Sequence, residues 1–131
     1  MTMLKLISAQ DHQPPAEGDT RTVALPSDAD AMALPLGGVE RVDLHFPNFT
    51  DGRAFSQAFL LRRRRGFKGE IRATGDVLID QLVQMQRTGF SSAVLREGVD
   101  AADAQRQFER FPGFYQGDAV NPQPLFAAKA A

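Results

Sequence analysis

Cysteine and tryptophan are absent from this 131-residue chain, and lysine occurs only three times. Without cysteine the chain has no disulfide, no nucleophilic thiolate, no zinc–thiolate site and no iron–sulfur cluster held by its own side chains. If the protein serves redox chemistry, we therefore expect another molecule to carry the electrons. The residues themselves predict no cofactor.

Long apolar runs are also missing. The opening sequence MTMLKLISAQ contains an apolar run too short for the core of a signal peptide, and no segment approaches the roughly 20 apolar residues of a transmembrane helix. We therefore expect a cytoplasmic protein that does not enter a membrane.

The charges are balanced, with fifteen lysines and arginines against sixteen aspartates and glutamates. The global positive field that attracts nucleic acid is therefore missing. The run RRRR at 62–65 does not supply it, because four successive helical residues point in four directions. We expect no nucleic-acid partner.

The middle of the chain alternates between strand and helix patterns. Val42, Leu44 and Phe46 alternate with polar residues, which predicts a strand. Thr50 or Asp51 then caps a helix. An apolar stripe follows along this helix, made of Ala54, Phe55, Ala58, Phe59 and Leu61.

Two Gly-Phe pairs, at 66–67 and 89–90, are typical helix stops, and each precedes a new strand pattern. The second helix has its core stripe at Leu78, Leu82 and Met85. Asp100 caps a third helix. The order β-α-β-α-β-α predicts an α/β fold, a small parallel sheet of repeated βα units with right-handed crossovers.

Three regions follow from this pattern. Residues 1–38 form an irregular N-terminal arm with short strands near 3–7 and 22–25. Residues 39–111 form the βα-repeat core, and residues 112–131, rich in Pro, Gly and Ala, form an extended C-terminal tail.

One face of the predicted sheet is unusually polar. The helices must cover the apolar strand residues, so the opposite face presents Asp43, His45, Glu70, Arg72 and Thr74. Three alternatives stay open for this face. It is open to solvent, or it is covered by the N-terminal arm or by a second copy in a homo-oligomer, with its charges paired. Otherwise it is a binding surface.

Ligands of open parallel sheets gather at the carboxyl ends of the strands. The residues that we predict to bind a ligand there are Asp51, Gly52, Arg53, Arg72, Asp76, Asp80 and Gln81. Gly52 lets the backbone approach an anion, and Arg53 adds donors. Structural alternatives stay open, namely Asp51 as a cap, Gly52 as a turn, and an ion pair of Asp76 with either arginine.

No motif specifies a reaction. His12 and His45 have no partners at metal-ligand spacing, so no metal site is predicted. A Ser-His-Asp order, a phosphate loop and a dinucleotide fingerprint are all missing. Whether the protein is an enzyme stays open, and no catalytic residue is predicted.

The run from Phe46 to Phe90, FPNFTDGRAFSQAFLLRRRRGFKGEIRATGDVLIDQLVQMQRTGF, resembles a bacterial domain family of unknown function. Genes of that family often stand beside the gene for the haemoprotein subunit of sulfite reductase. The shared pattern is F-P-x-F-x-D-G-R-x-[FY]-S, then L-R-x-x-x-G-[FY]-x-G-E-[IL]-R-A-x-G-D-V-L-x-D-Q-L and R-x-G-F.

The resemblance implies a cytoplasmic accessory protein of assimilatory sulfite reduction that acts with sulfite reductase, at most an oxidoreductase component without a redox centre of its own. The alternative is a small-anion-binding protein or enzyme at the strand ends. Arg62, which is part of the pattern, projects into the apolar stripe of the first helix, so we expect it to need a partner or a cluster of carbonyls.

Overall fold

The computed structural model describes residues 4–48 and 50–110. The strands are β1 (Lys5–Ile7), β2 (Thr22–Leu25), β3 (Arg41–Phe46), β4 (Glu70–Gly75) and β5 (Ser92–Val94), and the helices are α1 (Arg53–Phe59), α2 (Leu82–Thr88) and α3 (Ala101–Glu109). Short 3₁₀ turns occur at Ala9–Asp11, Ala31–Ala33 and Ile79–Gln81, and a π-helical turn, Leu60–Arg64, continues α1.

All the strand pairings are parallel, and the order across the sheet is β1-β5-β4-β3-β2. The predicted α/β class is confirmed. Both edge strands come from the N-terminal region, since β1 pairs with β5 and β2 pairs with β3. The connecting segment, residues 8–21, therefore runs from one edge of the sheet to the other.

The core lies on one face of the sheet, as the alternating pattern predicts. Val42, Leu44 and Phe46 of β3, with Ile71 and Ala73 of β4, have no exposed surface. The helices contribute Ala58, Leu82, Met85 and Phe108 to the same cluster. Each large apolar side chain buried in this way contributes about 1.5–3 kcal/mol.

Both predicted Gly-Phe helix stops are confirmed. Gly66 and Gly89 have φ values of 64° and 113°, which few other residues adopt. The amide of Phe67 donates to the carbonyl of Leu61 at 2.9 Å, and that of Phe90 donates to Met85 at 3.0 Å. Both phenylalanine rings are buried, so each stop also fixes the start of the next strand.

The predicted stripe of α1 is wrong at one position. Phe59 is 45% exposed, whereas Gln57 is buried. The Nε2 of Gln57 donates to the carbonyls of Pro26 and Ala29 at 2.8 and 2.9 Å, which turns this side of the helix towards the segment after β2. The core stripe of the second helix also begins later than predicted, because Leu78 precedes the 3₁₀ turn that leads into α2.

Candidate functional site

The turns after β3, β4 and β5 lie at the carboxyl edge of the sheet. We call residues 47–48, 50–53, 76–80 and 96–98 the rim. The amide of Asp76 donates to the carbonyl of Phe46 at 2.8 Å, which ties the turn after β4 to the end of β3. Arg96 lies 3.5 Å from the carboxylate of Asp76. The rim therefore does bring charged residues of separate turns together.

Arg53, at the first position of α1, pairs with Asp51. Its Nε and Nη2 donate to the carboxylate at 3.0 and 2.6 Å, and its backbone amide donates to Oδ1 at 3.0 Å. These hydrogen bonds, together with the charge of Arg53, lower the pKa of Asp51 to about 2. Asp51 thus satisfies the first helical amide, although the N-cap position itself is Gly52. The carboxylate of Asp51 also occupies the backbone and guanidinium donors of Arg53, which we expected to face an anion.

Gly52 has no structural need to be glycine. Its φ is −90°, which other residues adopt readily. A Cβ atom built on it would meet Phe55 Cδ2 only at 4.0 Å, which is an ordinary contact distance. Gly52 is exposed, as is Asp80, which lies with Gln81 in the 3₁₀ turn before α2.

Arg72 lies apart from the other predicted binding residues. It is in the middle of β4 on the polar face, in register with Asp43 and Ser92. The ion pairs that the structure shows join Arg72 to Glu70 and Asp76 to Arg96. Five of the predicted site residues, Asp51, Gly52, Arg53, Asp76 and Asp80, therefore lie on the rim, Arg72 lies on the polar face, and Gln81 directly follows the rim.

The polar face carries a charged network, made of His12, Arg41, Asp43, Glu70, Arg72 and Ser92. Arg41 donates Nε and Nη2 to the two oxygens of Asp43 at 2.8 and 3.0 Å, and Asp43 is only 3% exposed. This two-bond geometry is the strong form of an Arg–carboxylate pair.

The second half of the network centres on Glu70. Its Oε2 accepts from Arg72 Nε at 2.9 Å and from Ser92 Oγ at 2.6 Å. Burial alone would raise the pKa of Glu70. The hydrogen bonds from Ser92 and Arg72 and the neighbouring positive charges outweigh burial, so this pKa is lowered overall.

Residues 8–21 cross this network and cover it. The carbonyl of Gln13 accepts from Arg41 Nη2 at 2.8 Å, and Arg72 Nη1 lies 3.0 Å from His12 Nδ1. Of the alternatives for the polar face, the structure thus shows cover by the chain's own N-terminal segment, with the charges paired.

The tautomer of His12 follows from its partner. An arginine only donates hydrogen bonds, so Nδ1 of His12 accepts and the ring proton lies on Nε2. Burial lowers the pKa of His12; the nearby carboxylate of Asp43 opposes that shift, and the charge of Arg72 adds to it. His12 is therefore a neutral imidazole near neutral pH.

A cleft of about 400 Å³ lies between the N-terminal segment and the carboxyl half of the polar face. Its lining residues are His12, Pro14, Pro15, Ala24, Leu25, Pro26, Asp43, His45 and Thr74. His45 Nδ1 lies 3.4 Å from Thr74 Oγ1. The lining includes both histidines of the chain.

The sequence did not predict this cleft, because the segment between the two short strands was assigned to an irregular N-terminal arm and no site was placed against it. The available signal was the predicted pair of short strands that flank this segment. If both strands join the sheet at opposite edges, the polar segment between them has to cross the polar face.

The described residues contain no group of three or more His, Asp or Glu side chains placed to hold a metal ion. In residues 4–48 and 50–110, no helix is both long and apolar enough to cross a lipid bilayer.

The chain matches the model of a family described as bacterial protein of unknown function, DUF934, over residues 22–126. The chain belongs to this family. Neither a curated protein nor a solved structure matches it. The DUF934 match includes the rim and the strands that form the floor of the cleft. It begins after His12, Pro14 and Pro15, so the covering wall of the cleft lies outside the matched range.

Proposed function

We propose that this DUF934 protein is a cytoplasmic accessory protein of assimilatory sulfite reduction and that it binds the haemoprotein subunit of sulfite reductase through its rim. The resemblance over residues 46–90 supports the sulfite-reductase link. The absence of cysteine supports a role in which the partner carries the electrons.

The observation that carries the proposal is the position of the D-G-R part of the resembling run. Asp51, Gly52 and Arg53 lie together on the rim; the side chain of Arg53 is 57% exposed, and that of Asp51, its ion-pair partner, is 12% exposed. The fold itself does not require a glycine at position 52. Fixed charges beside an unobstructed backbone suit the recognition of a complementary protein surface.

Other members of the run have structural duties that explain them without a partner. Arg62, in the π-helical turn, donates to the carbonyl of Gly89 at 2.8 Å. Gly89 in turn lies directly against the side chain of Arg62. Gly75 has a φ of 91° and approaches His45 and Phe46 closely. Gly52, by contrast, is required neither by its backbone conformation nor by the space around it.

The test is a binding measurement between the purified protein and the haemoprotein, by calorimetry at two salt concentrations. Arg53→Ala should weaken binding about tenfold, because it removes an exposed charge at the contact. Arg64→Ala is the matched control. It removes an exposed arginine from the other end of the same helix, so binding should not change.

Gly52→Ala adds a sharper variant, since the Cβ atom that it introduces meets its nearest neighbour, Phe55 Cδ2, only at 4.0 Å. Weakened binding with an unchanged melting temperature would support the rim as the contact. No association of the wild-type protein, or equal losses for Arg53→Ala and Arg64→Ala, would contradict the proposal.

Small-anion binding at the strand ends is the alternative proposal, and it has less support. Asp51 already accepts the backbone and side-chain hydrogen bonds of Arg53, and Arg72 donates to Glu70 and His12. A thermal-shift series with sulfite, sulfate and phosphate tests it. Stabilisation that Arg53→Ala abolishes would support this alternative, and a flat response would contradict it.

A further inference from the structure

The cleft has the size and position of a small-molecule site. Its volume of about 400 Å³ falls within the roughly 300–1,000 Å³ of known ligand pockets. Leu25, His45 and Thr74 place it at the carboxyl ends of β2, β3 and β4, where open parallel sheets bind ligands. The rim lies at the same sheet edge, but it and the cleft have different residues.

The charges around the cleft exclude a preference for anions near neutral pH. Arg41 is paired with Asp43, Arg72 is paired with Glu70, and His12 is neutral. In the described part of the chain, no lysine or arginine lines the cleft. An anion would therefore lose its hydration without gaining an unpaired positive partner.

The polar atoms of the cleft define what a ligand has to offer. Asp43 is a carboxylate, so it only accepts hydrogen bonds, and each oxygen keeps acceptor capacity beyond its bond to Arg41. His12 supplies the opposite group, because its Nδ1 is engaged by Arg72 and its Nε2 carries the proton. A residue with acceptor capacity and a residue with a donor thus both line the cleft.

Much of the remaining lining is apolar. Pro14, Pro15 and Pro26 contribute rigid rings, and Leu25 lies beside them. A lining of this kind, with two imidazoles, suits a planar ring. A rigid ring also loses less conformational entropy on binding than a flexible chain does.

We propose that the cleft binds an uncharged, planar nitrogen heterocycle that donates an N–H to Asp43 and accepts a hydrogen bond from His12. This inference does not depend on association with the haemoprotein. It assigns a ligand class to a part of the molecule that the proposed docking rim does not use.

The experiment is a titration followed by the histidine ring signals in the NMR spectrum of the untagged protein. The chain has only two histidines and both line the cleft, so these signals report on this site alone. Three probes of similar size are compared near neutral pH. Benzimidazole carries the N–H donor, 1-methylbenzimidazole lacks it, and benzoate is an anion.

Benzimidazole should shift both histidine signals saturably in the millimolar range or below, and 1-methylbenzimidazole should bind about tenfold more weakly, as expected for one lost hydrogen bond to a carboxylate. Benzoate should bind most weakly of the three. No saturable shift with benzimidazole, or equal affinity for the three probes, would overturn the proposal.

Two variants, each of which replaces an exposed alanine with leucine, test where the ligand binds. Ala24→Leu fills the cleft from the exposed side of an edge strand, where the fold tolerates a larger side chain. Ala102→Leu makes the same change on the exposed side of α3 and is the matched control. Benzimidazole affinity should fall about tenfold or more in Ala24→Leu and stay unchanged in Ala102→Leu. Equal affinities in the two variants would contradict a site in the cleft.

Discussion

Arg62 should be one of the most important side chains for stability, although it is an arginine in an apolar stripe. Its guanidinium donates to the carbonyls of Gly89, Phe67 and Gly69 at 2.8, 2.8 and 2.6 Å, and to Ser91 Oγ at 2.7 Å. It thereby joins α1 to the segments that precede β4 and β5. Of the two alternatives that the sequence predicts for Arg62, a partner or a cluster of carbonyls, the structure shows mainly the carbonyl cluster.

The size of the effect follows from these four hydrogen bonds. A hydrogen bond to a charged group contributes about 1.5–3 kcal/mol net to stability. The sum over four such bonds would exceed the destabilisation that a single substitution usually causes. Burial of the guanidinium, which lowers the pKa of Arg62, offsets part of that sum. Water entering the vacated space would satisfy some of the carbonyls. We therefore expect Arg62→Ala to cost about 3–5 kcal/mol.

Urea unfolding measures this cost. With an m-value of about 2 kcal/mol per molar, the midpoint should fall by about 2 M. Arg64→Ala, an exposed arginine two positions on, is the matched control and should change the free energy of unfolding by less than about 0.5 kcal/mol. A loss below about 1 kcal/mol for Arg62→Ala, or similar losses in both variants, would refute the reasoning.

Three further predictions concern single residues. Gly89→Ala should destabilise the protein by about 1–3 kcal/mol in the same urea assay, because φ is 113° and the new Cβ would lie 2.5 Å from Arg62 Cγ. The pKa of His12 is lowered in the folded protein, so on acidification the unfolded chain binds the proton at a higher pH than the folded protein does. The free energy of unfolding should therefore decline as the pH falls below about 6.5. Urea midpoints measured across that pH range should decline less steeply in His12→Gln than in the wild-type protein. Identical slopes in the two proteins would contradict this role of His12. A carboxyl NMR titration should place Asp51 near a pKa of about 2, and Arg53→Ala should move it towards its ordinary value.

The βα pattern of the sequence was sufficient for the central fold. Period-two alternation identified β3, and the positive φ values at Gly66 and Gly89 explain why Gly-Phe pairs end the helices. Asp100 caps α3 as predicted, with Oδ1 accepting from the amides of Ala102 and Asp103. These are local features, so a single sequence carries them.

Long-range placement was not accessible in the same way. The pairing of β1 with β5 depends on contacts between residues more than eighty positions apart, such as the amide of Leu4 with Gln86 Oε1 at 2.8 Å. No local pattern encodes this contact. The cleft was missed because His12 reaches Arg72 only when the N-terminal segment crosses the sheet, and that crossing follows only once both short strands are placed at opposite edges.

The candidate site was predicted in part. Asp51, Arg53 and Asp76 lie at the strand ends as expected, but their partners differ from those suggested, since Arg53 pairs with Asp51 and Asp76 pairs with Arg96 of the turn after β5. Arg72 belongs to the polar face because it occupies the middle of its strand. The predicted tail at 112–131 lies outside the described residues.

A growth test addresses the proposed role in sulfite reduction most directly. A strain that lacks the gene is compared with its parent, on sulfate or on cysteine as the sulfur source, and complemented with wild-type protein or with Arg53→Ala. The proposal predicts poor growth of the deletion strain on sulfate, normal growth on cysteine, and full rescue only by the wild-type gene. Equal growth of deletion and parent strains on sulfate would contradict it.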